Sequence, residues 1–322
     1  MSKKFFLFSI VSIEILFGSG FLYKYYQNKV LENKVLGVET IAVIDKSKTV
    51  FVENEEAQYY WEFIPNGIEE DDQSWLPHKV TYNINGDGLN DLYDYSIEKK
   101  SNTYRIITLG DSFTYGHFVN TQDNWTEQLE DLLNKDTLGC QYDNFEVINL
   151  GMPGFDVQYI VQRYKEIGQK YNPDLILWFE SGSGFYRLNE FMQPIIEECL
   201  GTEVAQKKNS YRPCWDKAGD MINEKYSIWD RSEVTKKYYD VFSSLDNTEK
   251  TSMIYYNSLS NDEKEIIDMW RNRYKNISFL PLVPRPSQEE KLLDGHPNAE
   301  GHKSMAQHFF KYLVEEKNIC EK

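Results

Sequence analysis

A serine, a histidine and an aspartate that could act together stand in two short segments of the sequence. Ser112 lies in "RIITLGDSFTYG", directly after an apolar, β-branched run, and Asp294 and His296 lie two residues apart in "DGHPNAEGH". A serine hydroxyl becomes a nucleophile when an imidazole takes its proton and a carboxylate orients that imidazole. We therefore expect His296 to bridge Asp294 and Ser112. Taken alone, Gly-Asp-Ser is equally typical of a turn that caps a helix.

The residues around these segments alternate between strand-like and helix-like patterns. Apolar runs predict strands at 105–110, 145–151, 173–179, 251–259 and 277–283. Helical spacing of apolar residues predicts helices at 124–135, 156–171, 260–276 and 298–317, with Asp156 and either Ser260 or Asn261 as N-caps. Strands separated by helices indicate an α/β fold with an open parallel sheet and right-handed crossovers. Residues 186–250 interrupt this pattern and are predicted to be a helical, acidic insertion.

In an open parallel sheet, functional residues gather beyond the carboxyl ends of the strands. Three segments follow predicted strands: Gly110-Asp111-Ser112, "NLGMPGFD" (149–156) and "WFESGSGF" (178–185). A tetrahedral oxyanion needs N–H donors, and the backbone amides of Ser112 and Gly154 are the natural suppliers. Asp111 and His117 are candidates for substrate contact. Glu180 is either an acid that lines the pocket or a solvated strand end.

Other features of the composition narrow the function. The formal net charge of −16 argues against a nucleic-acid partner, which would need a basic patch. "NINGDGLND" (83–91) has calcium-loop-like spacing but lacks the Glu at loop position 12, so a plain turn is the favoured interpretation. There is no C-x-x-C motif, and no metal is expected. Cys199 and Cys214 bracket a polar, loop-like stretch that could bring them together.

The N-terminal part of the chain predicts a membrane attachment. Residues 1–24 hold two lysines followed by a mostly apolar stretch from Phe5 to Tyr23, with Glu14 in its middle. Nineteen such residues can just span a bilayer, so we expect an uncleaved anchor with the remainder outside the cytoplasm. A cleaved signal peptide and a buried helix are the alternatives. Residues 25–100 are predicted to be a polar stalk followed by a β-rich leader, and 101–322 to be the main domain.

Three segments together resemble a known family. "TLGDSFTYG", "VINLGMPGFD" and "DGHPNAEGH" look like blocks I, II and V of the SGNH (GDSL) hydrolases, in the same order over roughly residues 104–315. Within that family, "YNINGDGLND" looks like the entry segment of exported bacterial members. The resemblance implies a flavodoxin-like α/β/α fold with a five-stranded parallel sheet, serine-dependent cleavage or transfer of an ester-linked acyl group, and no cofactor. It makes Ser112, His296 and Asp294 the expected catalytic residues.

The third block departs from the family pattern. The family has Gly-x-Asn-Asp after strand three, where the Asn amide donates to the oxyanion, whereas this chain has Ser183 at the Asn position. Ser183 or Asn189 is the expected replacement, or there is no side-chain donor at all. The implied topology places the first and last helices on one face of the sheet, so we also expect a Cys140–Cys320 disulfide beside Cys199–Cys214.

Two further functions remain open at this stage. The altered third block could mark a non-catalytic binding module, and the acidic insertion could be the docking face of a structural surface protein. We expect instead an esterase or acyltransferase that acts on an acylated glycan or another O-ester, because Ser112, His296 and Asp294 all occur in register. The sequence does not distinguish hydrolysis from transfer, since both pass through the same acyl-enzyme.

Overall fold

The computed structural model describes residues 49–55, 57–72, 75–135, 139–182, 184, 187–200, 211–225, 245 and 250–320. Among them, residues 193–219 belong to one compact unit and the rest to another. Inside the smaller unit, a disulfide joins Cys199 to Cys214 with their Cα atoms 5.6 Å apart, the pairing expected from the sequence. The predicted anchor, the stalk and the start of the leader (1–48) lie outside the described residues, as does Ser183. In the part that is described, no helix is both long enough and apolar enough to cross a membrane.

The leader contains short antiparallel strands that precede the main sheet. Strands β1 (Thr49–Phe51) and β2 (Trp61–Phe63) form one pair, and β3 (Gly67–Asp71) and β4 (Val80–Ile84) form another. The "NINGDGLND" segment that follows is a turn in which the Asn85 carboxamide accepts the backbone N–H groups of Asp87 and Leu89 at 3.0 Å each. The carboxyl group of Asp87 in turn binds Lys170 and Tyr171. These oxygens therefore serve as hydrogen-bond acceptors within the protein.

A five-stranded parallel sheet forms the centre of the larger unit. Its strands are β5 (Thr103–Gly110), β6 (Asn144–Asn149), β7 (Leu175–Glu180), β8 (Thr251–Tyr256) and β9 (Ser278–Val283). Their order across the sheet is β6-β5-β7-β8-β9, which is the flavodoxin-like 2-1-3-4-5 arrangement. Every residue of β5, β7 and β8 is buried, as expected for strands covered on both faces. The predicted fold class is therefore correct.

Helices cover both faces of this sheet. The helices whose residues form the two cores are α2 (Trp125–Leu133), α3 (Val157–Arg163), α6 (Asn261–Arg273) and α7 (Ala299–Lys311). The chain also forms α1 (Ser112–Tyr115), α4 (Asn189–Leu200) and α5 (Tyr211–Lys225), and the last two have residues in both units. Leu129 of α2 and Phe309 of α7 belong to the core on one face, and Ile160 of α3 and Trp270 of α6 belong to the core on the other. The two cores give the three-layer architecture. Ser260 is the N-cap of α6, where it forms a capping box with Glu263.

Helices α2 and α7 lie on the same face of the sheet. The segments that follow them are joined by a disulfide between Cys140 and Cys320, whose Cα atoms are 4.5 Å apart and whose positions differ by 180 residues. This is the second pairing expected from the implied topology.

The element boundaries differ from the predicted ones in several places. The predicted helix at 298–317 is α only from Ala299 to Lys311 and continues as a π turn (Tyr312–Glu316). The predicted helix at 156–171 is α only from Val157 to Arg163, and it continues as a wider π turn (Tyr164–Gly168) and a 3₁₀ turn (Gln169–Tyr171). The predicted strand at 251–259 ends at Tyr256. There the chain leaves the sheet, and the Asn257 N–H donates to Val283 O at 2.8 Å.

Buried carboxyl groups gather where the leader meets α2. The hydroxyl oxygen of Tyr95 lies 3.1 Å from Asp91 Oδ1 and 2.9 Å from Glu130 Oε2, and Glu127 is buried beside them. Burial, together with the charge of a neighbouring carboxylate, raises the pKa of Asp91 to about 8, that of Glu130 to about 7 and that of Glu127 well above its usual value. A phenol carries only one proton, so the two Tyr95 contacts together need a protonated carboxyl group.

Candidate active site

The nucleophile candidate lies at a sharp turn between β5 and α1. Ser112 is the first residue of α1 and is 3% exposed, and the Asp111 carboxylate caps the helix by accepting the Phe113 N–H at 3.0 Å. Gly110 precedes the turn with φ of +157°, and a Cβ at that position would lie 2.1 Å from Thr114 Oγ1. Only glycine allows the helix to begin this close to the strand.

A second tight turn brings Asp294 and His296 together. The Gly295 N–H donates to Leu292 O at 3.0 Å, and the Leu292 N–H donates to His296 O at 2.8 Å. The His296 backbone N–H then donates to Asp294 Oδ1 at 3.1 Å, which fixes the aspartate against its own turn. Asn298 caps α7 directly afterwards, so the turn is held by a helix of the main domain.

The three candidate catalytic side chains form one continuous hydrogen-bonded chain. His296 Nε2 lies 2.8 Å from Ser112 Oγ, and His296 Nδ1 lies 2.7 Å from Asp294 Oδ2. A carboxylate accepts only, so Nδ1 carries the proton and Nε2 is left to accept from the serine. Burial alone would raise the pKa of Asp294, but the hydrogen bonds and charge of His296 outweigh it and lower that pKa. Asp294 is therefore ionised and able to orient the imidazole.

Aromatic rings enclose the imidazole of His296. Phe113 stacks on it with ring centroids 4.8 Å apart, and Phe118 and His117 approach it edge-on at 5.4 and 5.5 Å. His117 thus lies beside the site, as expected of a substrate-contact candidate, with its Nε2 3.8 Å from Asp71 Oδ2. Burial and the neighbouring His296 lower the pKa of His117 to about 3. It is a neutral imidazole at physiological pH.

The leader holds the segment that carries these rings. The Phe118 N–H donates to the Tyr82 hydroxyl at 2.9 Å, and the Trp75 ring contacts the Phe118 ring at 4.8 Å. Phe118 has φ of +71°, which is strained for a residue with a side chain and persists only where surrounding contacts enforce it. Asn90 reaches further in and donates to Tyr115 O, at the end of α1, at 2.7 Å. The leader is therefore part of the site's architecture.

The turn that follows β6 carries Gly154. An added Cβ at Gly151 would lie 2.2 Å from Tyr115 N, so this turn packs directly on α1. Gly154 itself has φ of +81°. Its carbonyl accepts the Asn189 side-chain amide at 2.9 Å, and the Asn189 backbone N–H donates to Asp156 Oδ2 at 2.8 Å. Asn189 thus braces the Gly154 turn.

Glu180 and Asp111 are two buried carboxyl groups next to the site. Glu180 is 2% exposed and accepts the N–H groups of Gly182 and Gly184 at 2.9 and 3.0 Å, so its interpretation as a solvated strand end is wrong. Burial and the Asp111 charge raise the pKa of Glu180 to about 8. Asp111 is equally buried and accepts the Ser181 hydroxyl at 2.8 Å. The carboxyl groups of Asp111 and Glu180 therefore both accept hydrogen bonds from the protein itself.

The remaining histidines of the last helix have structural positions. His302 is fully buried, and its Nδ1 accepts the Trp125 N–H at 3.3 Å. His308 donates from Nδ1 to Ser304 O at 2.8 Å. Within the described ranges, no group of three or more His, Cys, Asp or Glu side chains is arranged to hold a metal ion.

Sequence reasoning missed Asn90, Asn149 and Arg187. Asn90 and Asn149 both direct side-chain amides at Tyr115 O, at 2.7 and 3.4 Å. The Arg187 guanidinium lies 3.5 Å from Asp111 Oδ2. The available signals were weak: an Asn that ends β6, an Asn-Asp pair that ends the "NINGDGLND" segment, and a cation shortly after the third block.

An open groove of about 600 Å³ adjoins the Asp294 turn. Trp75 and Pro77 of the leader line it on one side, and Leu292, Leu293 and Asp294 line it on the other. Gln288, Lys291 and Asn298 add polar groups. An aromatic side chain, apolar surface and a few polar groups are typical of a small-molecule or glycan site.

Comparisons with known proteins found matches among solved structures. No family model and no curated protein matches the sequence. Similar solved structures include a psychrotrophic esterase from Pseudoalteromonas sp. (12% identity, 66% of this chain and 98% of that chain, TM-score 0.39). A putative lipolytic protein of the G-D-S-L family from Desulfitobacterium hafniense is another (18%, 64% and 98%, 0.37), as is a family 3 carbohydrate esterase from Clostridium thermocellum (14%, 68% and 100%, 0.38). In its motif blocks, its 2-1-3-4-5 sheet and the placement of those blocks at the strand ends, the chain is similar to the SGNH (GDSL) hydrolases.

Proposed function

We propose that the protein hydrolyses ester-linked acyl groups, with Ser112 as nucleophile, His296 as general base and Asp294 as the group that orients it. The observation that carries the proposal is the unbroken contact from Ser112 Oγ through His296 to Asp294, at 2.8 and 2.7 Å. A serine that only capped a helix would have no need of an imidazole held by a carboxylate on a separate turn. Each member of the chain has the geometry its role requires.

The reaction follows from the arrangement. Ser112 Oγ attacks the ester carbonyl carbon while His296 Nε2 takes its proton, and the carbonyl electron pair moves onto oxygen. The N–H groups of Ser112 and Gly154 are the backbone donors proposed for that oxyanion, since the first N–H groups of a helix have no intrahelical acceptor. Collapse breaks the ester C–O bond, and the leaving alcohol takes the proton from His296. Water, activated by His296, then releases the acid from Ser112. A sugar hydroxyl in place of that water would give acyl transfer.

We propose an acylated glycan as the substrate. The groove beside Asp294 supports this, because the Trp75 ring offers a flat apolar face and Lys291 and Gln288 offer polar contacts. Trp75→Ala is expected to raise KM for an acetylated polysaccharide several-fold more than it raises KM for p-nitrophenyl acetate. A preference of the wild-type protein for long-chain lipid esters would contradict the glycan assignment.

We also propose that the protein acts outside the cytoplasm, attached through residues 1–24. The two disulfides support an oxidising compartment. An alkaline phosphatase domain fused after residue 322 should be active in cells that express the full chain. An inactive fusion together with four free thiols in the purified protein would contradict this location.

Labelling with a fluorophosphonate probe tests the catalytic proposal. The wild-type protein should be labelled and should hydrolyse p-nitrophenyl acetate, and both signals should vanish in Ser112→Ala. Ser101→Ala, at an exposed serine that precedes β5 at the opposite edge of the sheet, is the matched control and should behave as the wild type. Folded wild-type protein that neither reacts nor hydrolyses esters would favour the non-catalytic binding module.

A further inference from the structure

A cation lies at the carboxyl edge of the sheet, next to the residue that precedes the nucleophile. Arg187 follows β7 and the altered third block, and its Nη1 lies 3.5 Å from Asp111 Oδ2. Its side chain is 17% exposed, so the guanidinium is largely enclosed. Asp111 directly precedes Ser112, which places a permanent positive charge close to the reacting centre.

The electrostatic influence of Arg187 locates the guanidinium more closely. Its charge contributes to lowering the pKa of His117 and opposes the burial that raises the pKa values of Asp156 and Glu180. These residues stand after α1, after the Gly154 turn and at the end of β7. A Coulomb interaction weakens with distance, so these effects agree with the position of Arg187 beside Asp111, at the carboxyl edge of the sheet.

We propose that Arg187 donates hydrogen bonds to the oxyanion of the tetrahedral intermediate, in place of the Asn amide that the third block of similar hydrolases would supply. The inference rests on the proposed function and deepens it. A guanidinium carries five N–H donors and stays protonated throughout. When Ser112 Oγ bonds to the carbonyl carbon, the displaced electron pair becomes a negative charge on oxygen that Arg187 faces. The charge disappears again when the ester C–O bond breaks, so Arg187 stabilises the intermediate more than the bound ester.

A purely structural role makes a different prediction. Arg187 would then only neutralise the buried carboxylate of Asp111, and removing that charge should make the arginine dispensable. Asp111→Asn suits this comparison, because the Asn carbonyl can still accept the Phe113 N–H and its amide can donate to the Ser181 hydroxyl. The double variant Asp111→Asn/Arg187→Met therefore separates the two roles.

Steady-state kinetics on a neutral ester give the decisive readout. We expect Arg187→Met to lower kcat about 100- to 1000-fold, as for the loss of one oxyanion donor, with KM changed less than about three-fold. Arg187→Lys should recover part of the rate, and the double variant should be as slow as Arg187→Met. Arg271→Met, at an exposed arginine of α6, is the matched control and should keep the wild-type rate. Thermal unfolding of each variant shows that it is folded.

Three results would overturn the inference: a wild-type kcat in Arg187→Met, a rise in KM alone, or recovery of the rate in the double variant. Ser112→Ala, measured alongside, keeps the two proposals distinct. An active Arg187→Met beside an inactive Ser112→Ala removes only the role of Arg187. Activity that survives in Ser112→Ala removes the proposed function itself.

Discussion

The carbonyl of Tyr115 gives the clearest test of how the leader supports the nucleophile. Tyr115 ends the short helix that Ser112 begins, and its oxygen accepts side-chain amides from Asn90, Asn124 and Asn149 at 2.7, 3.1 and 3.4 Å. Asn90 makes the shortest of these contacts and comes from the leader. We therefore expect Asn90→Ala to loosen the helix that positions the nucleophile.

The size of the effect follows from the partners that Asn90 leaves behind. Tyr115 O keeps two amides, so its loss is one net hydrogen bond, about 1 kcal/mol. Thr121 is fully buried and donates its hydroxyl to Asn90 Oδ1 at 2.6 Å. Leaving that donor without an acceptor costs about 1–3 kcal/mol. The free energy of unfolding should therefore fall by about 2–4 kcal/mol, and kcat should fall roughly ten-fold, equivalent to about 1.4 kcal/mol of transition-state stabilisation.

Urea unfolding and ester kinetics measure the two effects. A double-mutant cycle with Thr121→Val isolates the contact, because that variant also removes the hydroxyl that Asn90 binds. The combined loss should be smaller than the sum of the single losses by about 1–2 kcal/mol. Asn257→Ala, at an exposed asparagine, should change the free energy of unfolding by less than about 0.5 kcal/mol. Strictly additive losses, or wild-type stability and kcat in Asn90→Ala, would refute the reasoning.

Three further predictions concern the catalytic carboxylate, the buried acids and the long disulfide. Asp294→Asn should lower kcat by about 10⁴ without unfolding the protein, because the wrong imidazole tautomer is then favoured; a loss below ten-fold in steady-state assays would contradict the role of Asp294. At pH 6.5 the buried His302 takes up only about half a proton on unfolding, and less at higher pH. Asp91, with its pKa raised to about 8, and Glu127, with its pKa raised well above the usual value, each release a proton on unfolding over the same range. The free energy of unfolding should therefore fall between pH 6.5 and 8. In Glu127→Gln the urea midpoint should fall less steeply with pH than in the wild type, and an equally steep fall would contradict this explanation. The double variant Cys140→Ser/Cys320→Ser lacks the disulfide that closes a loop of 180 positions. Its free energy of unfolding, measured with urea, should be lower by up to about 5 kcal/mol. Equal stability of the variant and the oxidised wild type would show that the disulfide does not stabilise the fold.

Local patterns were sufficient to predict the sheet and the helices. A continuous apolar run such as 175–179 is typical of a strand that is covered on both faces. Such strands alternating with helices along the chain predict a parallel sheet. The Gly-Asp-Ser turn and the Asp294–His296 turn were equally readable, because each depends on residues close together in sequence. The boundaries of the elements were less predictable. The π turn at Tyr164–Gly168 is an example, because the apolar residues of a π turn have nearly the same spacing as those of an α-helix.

The supporting residues were not predictable, because their roles depend on contacts between distant segments. A glutamate at the end of a strand is typical of a solvent-exposed position. Glu180 is instead a buried acceptor, because the backbone N–H groups of Gly182 and Gly184 donate to its carboxyl group. Asn90 lies 25 positions before Tyr115 and has no local pattern that points there. Arg187 reaches Asp111 across the sheet edge, a contact that no spacing along the chain describes.

The close packing of Gly151 against Tyr115 has a consequence for how the chain can be divided. The turn after β6 packs against α1 at Gly151, and Asn90 donates a hydrogen bond to the last residue of the same helix. A fragment that began at residue 101 would contain the whole parallel sheet and every proposed catalytic residue. It would nevertheless lack Tyr82 and Trp75, which contact Phe118, and the amide of Asn90, which contacts Tyr115. The smallest portion of this chain able to work alone therefore begins within the leader, ahead of the domain that carries the chemistry.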